Sequence, residues 1–443
     1  MIQLDVFINE LRVGVLSYDS ATHQFEFDYA SEWIAAAEAF PLAPTLPLDR
    51  TAQTAQAHSR AVRIFFENLL PEGKALDDTA RNYAISKSSV AGLLMVLGRE
   101  CAGALRIVPQ CIGEPSKLKS PPTLRYLPRE ELSQRIRERA SIPFAVWDQK
   151  VWGAISGCQD KLAVYQNDAG EWFLADAVHL ASTHILKPEP TNPRLAGLTS
   201  NEFICLRLAK ALGLNVAAVQ LHHVPEPVLL ITRFDRTVHV NGVCRLPVID
   251  GCQALGLPVG AKYEGPYGNP RAPNAEHTGA SLASLFHLLD ISARPAAEKI
   301  ALLRWVVFQV LIGNIDAHAK NLTFFCSACG LSLAPAYDLV SGRMYANDQV
   351  EEALAMAIGD AFCLENLSAH EWVNFSRTAK LSPGLVQLEL IALSRKSTDS
   401  VARVIDEAMS EGADTAVATK IDMQVRTASE RLLEMARSTP PVT

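Results

Sequence analysis

The chain has 443 residues and a net charge of −7, with 41 basic and 48 acidic side chains. That balance excludes a wholly basic nucleic-acid coat. Hydrophobic residues make up 49% and charged residues 20%, which excludes a disordered chain and suits roughly three folding units of ordinary size. Nine cysteines without a regular framework predict a reducing compartment. The first ten residues carry acids and lack a basic-then-apolar leader, and the apolar run at 305–312 is too short to span a bilayer. The expectation is a soluble cytoplasmic protein.

In chain order, residues 3–8 and 12–17 alternate as strands about a turn containing Asn9 and Glu10. Helical spacing follows at 61–70, stopped by Pro71 and Gly73, and again at 89–97; residues 103–107 read as a closing strand. Residues 112–123 (IGEPSKLKSPPT) are rich in Pro, Ser and Lys and predict a linker. Short strands are then expected at 161–165, 171–174, 182–186 and 228–232, with one helix at 201–212 closed by Gly213. From about Ser281 the apolar spacing turns helical, at 281–289 and 297–312, apart from a hairpin within 321–337. No repeat is present. The run at 125–139 predicts a charged, solvated helix, and His222 with His223 a loop before Pro225. Cys326 and Cys329 read as an inert turn at the hairpin tip, since no second C-x-x-C exists.

The sharpest chemistry lies in 312–324, IGNIDAHAKNLTF. Asp316 and Asn321 are five apart, and Asp338 follows the hairpin. Phosphoryl transfer needs one carboxylate to receive the proton of an attacking hydroxyl. It also needs an amide oxygen and a second carboxylate to hold Mg²⁺ against the nucleotide. Lys187 ends an apolar strand and is followed by proline, where its ammonium could meet phosphates; Glu202 on the next helix could pair with it. The segment 153–161, GAISGCQDK, has small residues whose backbone N–H groups could close on a phosphate. Residues 230–236, LITRFDR, suit an adenine hinge. Taken singly, each has a plainer explanation: a capped polar turn, an exposed strand-end lysine, a β-turn, a surface Arg–Asp pair. Their order along the chain favours the joint reading.

Seven stretches carry a family resemblance: FENLLPEG (66–73), SGCQDK (156–161), THILKP (183–188), ITRFDR (231–236), CQALGLPVGAKYE (252–264), GNIDAHAKN (313–321) and PAYDLVS (335–341). In these the chain resembles the HipA serine/threonine kinases, the toxins of bacterial type II toxin–antitoxin modules. The resemblance implies an α+β, two-lobed protein-kinase-like fold with a β-rich N-terminal lobe and a mostly helical C-terminal lobe. The implied domains are an N-terminal subdomain over 1–111, a kinase N-lobe over 124–236 and a C-lobe over 237–443. It further implies ATP and Mg²⁺ as cofactors, a HipB-like antitoxin that supplies most of the contact with operator DNA, and growth arrest. The protein substrate would be a translation component such as an aminoacyl-tRNA synthetase.

Position by position, the resemblance makes Asp316 the catalytic base and gives Asn321 and Asp338 to Mg²⁺. Nucleotide contacts would come from Ser156, Gly157, Cys158, Gln159, Asp160, Lys161 and Lys187. The hinge would be Thr232, Arg233 and Phe234, and His318, Ala319, Lys320, Asn321, Tyr337 and Asp338 would complete the set. Family members phosphorylate a serine at or before the glycine loop. The commoner position is Ala154 here, so the resemblance points to the remaining hydroxyl, Ser156, as the autophosphorylation site, the other reading being a plain small loop residue. The H-R-D, D-F-G and A-P-E signatures of ordinary protein kinases are missing. The D-x-H-x-x-N pattern is shared with lipid kinases, so a small-molecule or lipid kinase is the alternative, and a catalytically silent co-repressor another.

Overall fold

A computed structural model describes residues 1–110, 123–148, 150–152, 159–176, 180–240, 242–265, 279–345 and 353–438. The expected linker falls largely outside them, as do Ser156, Gly157 and Cys158. The chain divides into two compact units. The first comprises 1–188, 222–249 and 325–328; the second comprises 189–221, 250–324 and 329–443.

The first unit opens on an antiparallel sheet in the order Gln24–Tyr29, Leu11–Asp19, Ile2–Ile8, Leu105–Pro109. Period-two burial of Leu4, Val6 and Ile8 makes the strand, as their alternation predicts. Helix Ala55–Glu67 covers this sheet, with Phe66 against Phe27 at 5.6 Å between ring centroids. It begins six residues before the predicted run because Thr54 caps it, accepting from the Ala57 N–H at 3.2 Å. The helical prediction at 89–97 is met by Val90–Leu97, while helix Gly73–Tyr83 was not anticipated.

The second sheet of this unit has six strands in the order Val219–His223, Pro227–Thr232, His184–Pro188, Leu162–Gln166, Trp172–Asp176, Thr123–Tyr126. Two expectations fail here. Arg125 and Tyr126 belong to the edge strand, and the helix that follows, Arg129–Glu138, is not solvated all round. Leu132 and Ile136, four apart, enter a core with Leu162, Val164, Trp172, Leu174, Leu186 and Leu230. Likewise His222 and His223 end an edge strand, with the His222 ring edge-on to Trp172 at 5.3 Å.

The second unit is mainly helical. Helix Pro295–Ile312 is apolar nearly all round, as a central helix must be. Helices Pro383–Ser410 and Thr415–Ser438 pack on it and on each other, and both also pack on helix Leu198–Leu212. The expected hairpin forms from Thr323–Ser327 and Gly330–Leu333. A second hairpin, Ala353–Ile358 with Ala361–Cys363, was read as helical territory. Among the described residues no helix is long and apolar enough to cross a membrane.

Candidate active site

Gly313 ends the central helix in the left-handed region at φ 65°, and the polar loop begins there. Asn314 is buried. Its Nδ2 donates to Gln309 Oε1 at 2.8 Å, and its Oδ1 accepts the Asp316 N–H at 3.0 Å. The Asp316 carbonyl accepts from the His318 N–H at 2.9 Å and from Asn321 Nδ2 at 2.9 Å. Only the NH₂ group of Asn321 can bond to a carbonyl, so its Oδ1 is the atom left for a cation. The Asp316 carboxylate itself is exposed, with Oδ1 accepting from the Tyr263 hydroxyl at 2.8 Å.

The other loop residues are tied down. Lys320 is buried, its Nζ 2.6 Å from Asp250 Oδ2, while Asp250 Oδ1 accepts the Gln253 N–H at 2.8 Å and so caps helix Gly251–Leu255. One carboxylate thus neutralises the loop lysine and starts a helix. The Ala319 N–H donates to the Lys262 carbonyl at 3.1 Å. The Tyr337 hydroxyl donates to the Lys320 carbonyl at 2.7 Å and lies 2.9 Å from Thr323 Oγ1. This fastens the segment that carries Asp338 to the catalytic loop. Asp338 is half-buried and adopts a left-handed backbone, φ 55°, which aspartate tolerates better than most residues. Backbone bonds from Ala336 to Asn215, and the Asn201 side chain on both the N–H and C=O of Ser341, clamp its two flanks.

The remaining candidates lie in the first unit. Lys187 is 4% exposed, in register with Leu229 on one neighbouring strand. On the other side the strand pairs with Leu162–Gln166, Leu186 facing Leu162. Gln159 is half-buried, and Asp160 lies 3.7 Å from Arg139. Thr232 faces His184, three residues along the strand from Lys187, or about 10 Å.

Side chains alternate at this strand end: Thr232 is exposed, Arg233 buried and Phe234 half-buried. Arg233 forms a fork on Asp235, Nε to Oδ1 at 2.9 Å and Nη2 to Oδ2 at 2.7 Å, and also reaches Glu100 at 3.3 Å. Arg236 and Arg245 converge on the same Glu100, at 3.1 and 2.5 Å. Ser182 donates to Glu100, and the Gly103 N–H to Asp235. The plainer alternative of a surface Arg–Asp pair therefore does not hold. Arg233 spends its side chain, and its backbone N–H on Thr183, inside the unit. Burial would push the Glu100 carboxyl up, but Arg245, Arg236 and Arg233 outweigh it and hold it at about 2. Burial likewise opposes ionisation of Asp235, and Arg233 with Arg236 keeps its carboxyl below the usual range. Arg236, desolvated and beside Arg233, is brought down to about 10.

Family models of the HipA N-terminal domain and of the HipA-like C-terminal domain match residues 4–108 and 153–416. The chain belongs to the HipA family. It is 36% identical over 406 residues to the serine/threonine-protein kinase toxin HipA of Shewanella oneidensis, covering 91% of this chain and 89% of that protein. It also superposes on HipA in the solved complex of Shewanella oneidensis HipA, HipB and operator DNA. There the TM-score is 0.85 at 33% identity, with 99% of this chain and 100% of that one covered. The α+β fold is that of a HipA kinase, and the enzyme is a serine/threonine protein kinase of toxin–antitoxin type.

Against that background the donors fit a nucleotide and a hard cation. Asn321 Oδ1 and the Asp338 carboxylate are oxygen ligands of the kind Mg²⁺ takes, with the remaining positions left to phosphates and water. Among the described residues no cluster of three or more His, Cys, Asp or Glu forms a metal site by protein groups alone. Sequence reasoning missed Asn201, Asp250, Tyr263, Gln309 and Asn314, which hold the site rather than perform its chemistry. Asp250 had a visible signal, since D-x-x-Q ahead of an apolar turn is a capping-box pattern.

Proposed function

We propose that the chain transfers the γ-phosphate of ATP, with Mg²⁺, to a serine or threonine hydroxyl of a protein substrate. The observation that carries this reading is the exposed Asp316 carboxylate on a loop held by Asn314, Lys320 and the NH₂ group of Asn321. Asp316 accepts the acceptor hydroxyl's proton as that oxygen attacks phosphorus and the bond to the ADP oxygen breaks. Asn321 and Asp338 hold Mg²⁺, whose contribution is to neutralise charge on the phosphates. Lys187, the loop from Ser156 to Lys161, the hinge Thr232–Phe234, and His318, Ala319, Lys320 and Tyr337 surround the nucleotide. Arg233 and Lys320 contribute there by shaping the fold, since their side chains are held elsewhere. Residues 1–111 form the N-terminal subdomain, 124–236 the nucleotide-binding lobe and 237–443 the helical lobe.

In the cell the substrate is a translation component such as an aminoacyl-tRNA synthetase, and a HipB-like antitoxin neutralises the kinase. The relative's solved complex with HipB and operator DNA supports the second statement. Ser156 is the regulatory phosphoacceptor.

Labelled ATP and a candidate synthetase test the reading. Asp316→Asn should retain ATP binding and lose turnover by roughly 10²–10⁴-fold. Asp338→Asn should also weaken Mg·ATP binding. Peptide mass analysis after incubation with Mg·ATP should find one phosphate at Ser156, absent in Ser156→Ala and in Asp316→Asn. Native phosphorylation rates in Asp316→Asn would defeat the assignment.

A further inference from the structure

The stretch CQALGLPVGAKYE, singled out by resemblance, contributes Lys262, Tyr263 and Glu264, none of which has a part in the reading above. The Tyr263 hydroxyl donates to Asp316 Oδ1 at 2.8 Å. Among the described residues it is the side-chain donor that reaches this otherwise solvent-facing carboxylate. From this geometry we infer that Tyr263 is a positioning residue for catalysis: it holds Oδ1 and thereby presents Oδ2 of Asp316 to the acceptor hydroxyl. The inference rests on Asp316 being the base.

Tyr263 is itself fixed by the loop it serves. Its ring stands edge-on to His318, 5.2 Å between centroids and 87° between planes. The preceding carbonyl, Lys262 O, accepts the Ala319 N–H at 3.1 Å. The following residue bonds through its N–H to the Ala355 carbonyl at 2.9 Å, and its Oε2 accepts the Ala357 N–H at 2.8 Å. Ala355 in turn donates to the Ile315 carbonyl, next to Asp316, at 3.1 Å. Gly279 lies so close over Tyr263 that a β-carbon there would come within 1.7 Å of the Tyr263 carbonyl oxygen. A tyrosine whose flanking backbone is fixed and whose ring meets His318 can aim its hydroxyl, and a hydrogen bond to a carboxylate is stronger than one between neutral groups. An exposed aspartate would otherwise rotate among its rotamers, with only some placing an oxygen on the acceptor proton.

The test is a double-mutant cycle on the full chain, with steady-state phosphorylation of a protein substrate and ATP binding measured separately. Tyr263→Phe keeps the ring against His318 and deletes the donor. It should lower kcat by about 10-fold and leave the KM for ATP and the melting temperature close to native. In the Asp316→Asn background the same substitution should cost nothing further, because no base remains to be aimed. A native or raised kcat in Tyr263→Phe, a loss confined to KM, or full additivity with Asp316→Asn would each overturn the inference. These results leave Asp316 in place as long as Asp316→Asn alone is slow. Native activity in Asp316→Asn would instead remove the reading on which the inference depends.

Discussion

Glu100 carries more of the first unit than its position in a connecting turn suggests. Its carboxylate meets three arginines, and with Asp235 it balances two of their three charges. Removing one partner from such a buried set strands the others, so Glu100→Gln should cost about 3–5 kcal/mol at neutral pH. The pH dependence follows from the direction of the shift. The folded carboxyl sits at about 2 against an ordinary 4.5, so its stabilisation is complete above pH 4.5 and is lost as pH falls toward 2. Acid unfolding followed by circular dichroism should therefore be less steep over that window in Glu100→Gln. An unchanged acid limb together with native stability would show that the cluster contributes nothing.

Gly251 shows how an element rather than a side chain sets the site. The first turn of helix Gly251–Leu255 lies against the catalytic loop, its N–H bonded to the Leu322 carbonyl at 2.9 Å. A β-carbon on Gly251 would stand 2.5 Å from the Ala319 carbonyl oxygen, which is backbone and cannot swing away. Gly251→Ala should force the helix and the loop apart, costing roughly 1–3 kcal/mol and lowering kcat. Asp250→Asn separates two roles of the neighbouring residue. Asparagine still caps the helix but no longer neutralises Lys320, so the helix should persist while the loop loosens. Thermal melts beside phosphorylation assays would distinguish the two. Equal melting temperatures and native turnover in both variants would contradict the coupling of helix to loop.

At the scale of the whole molecule, the N-terminal residues are structural partners of residues 233–245 in the first unit. Glu100 and Gly103 serve Arg233, Asp235 and Arg236, while Asn9 bonds the Arg245 N–H at 2.8 Å and its carbonyl at 3.0 Å. A chain lacking residues 1–110 would bury Arg233, Arg236 and Arg245 with Asp235 alone. It should fail to melt cooperatively, and a well-folded truncated kinase would refute this. Net charge bears on the partner. At −7 the chain lacks the excess of Lys and Arg that neutralises DNA phosphates. Operator binding should accordingly require the antitoxin, and tight, salt-sensitive binding by the kinase alone would contradict it.

The order of the chemical segments, the period-two strand around Leu4 and Val6, and the helix ending at Gly313 were all legible in the chain alone. Each depends on spacing, turn chemistry or a glycine conformation, which are local. The identity of Asp316, Asn321 and Asp338 as candidates was also local, because D-x-x-x-x-N is a short motif. Tertiary structure decided what the other polar residues do. In sequence Arg233 and Asp235 fit either a hinge or a surface pair, and Glu100, over 130 positions away, removes the second reading by closing around them. Residues 125–139 read as solvated because three apolar side chains among many charges do not reveal which face meets a sheet. Tyr263 and Asp316, 53 apart, meet because the Lys262 carbonyl takes the Ala319 N–H and a strand at Ala353–Ile358 ties both segments together. Long-range pairing has no period in sequence, so the side chains that aim and neutralise the site appear only once the chain has folded.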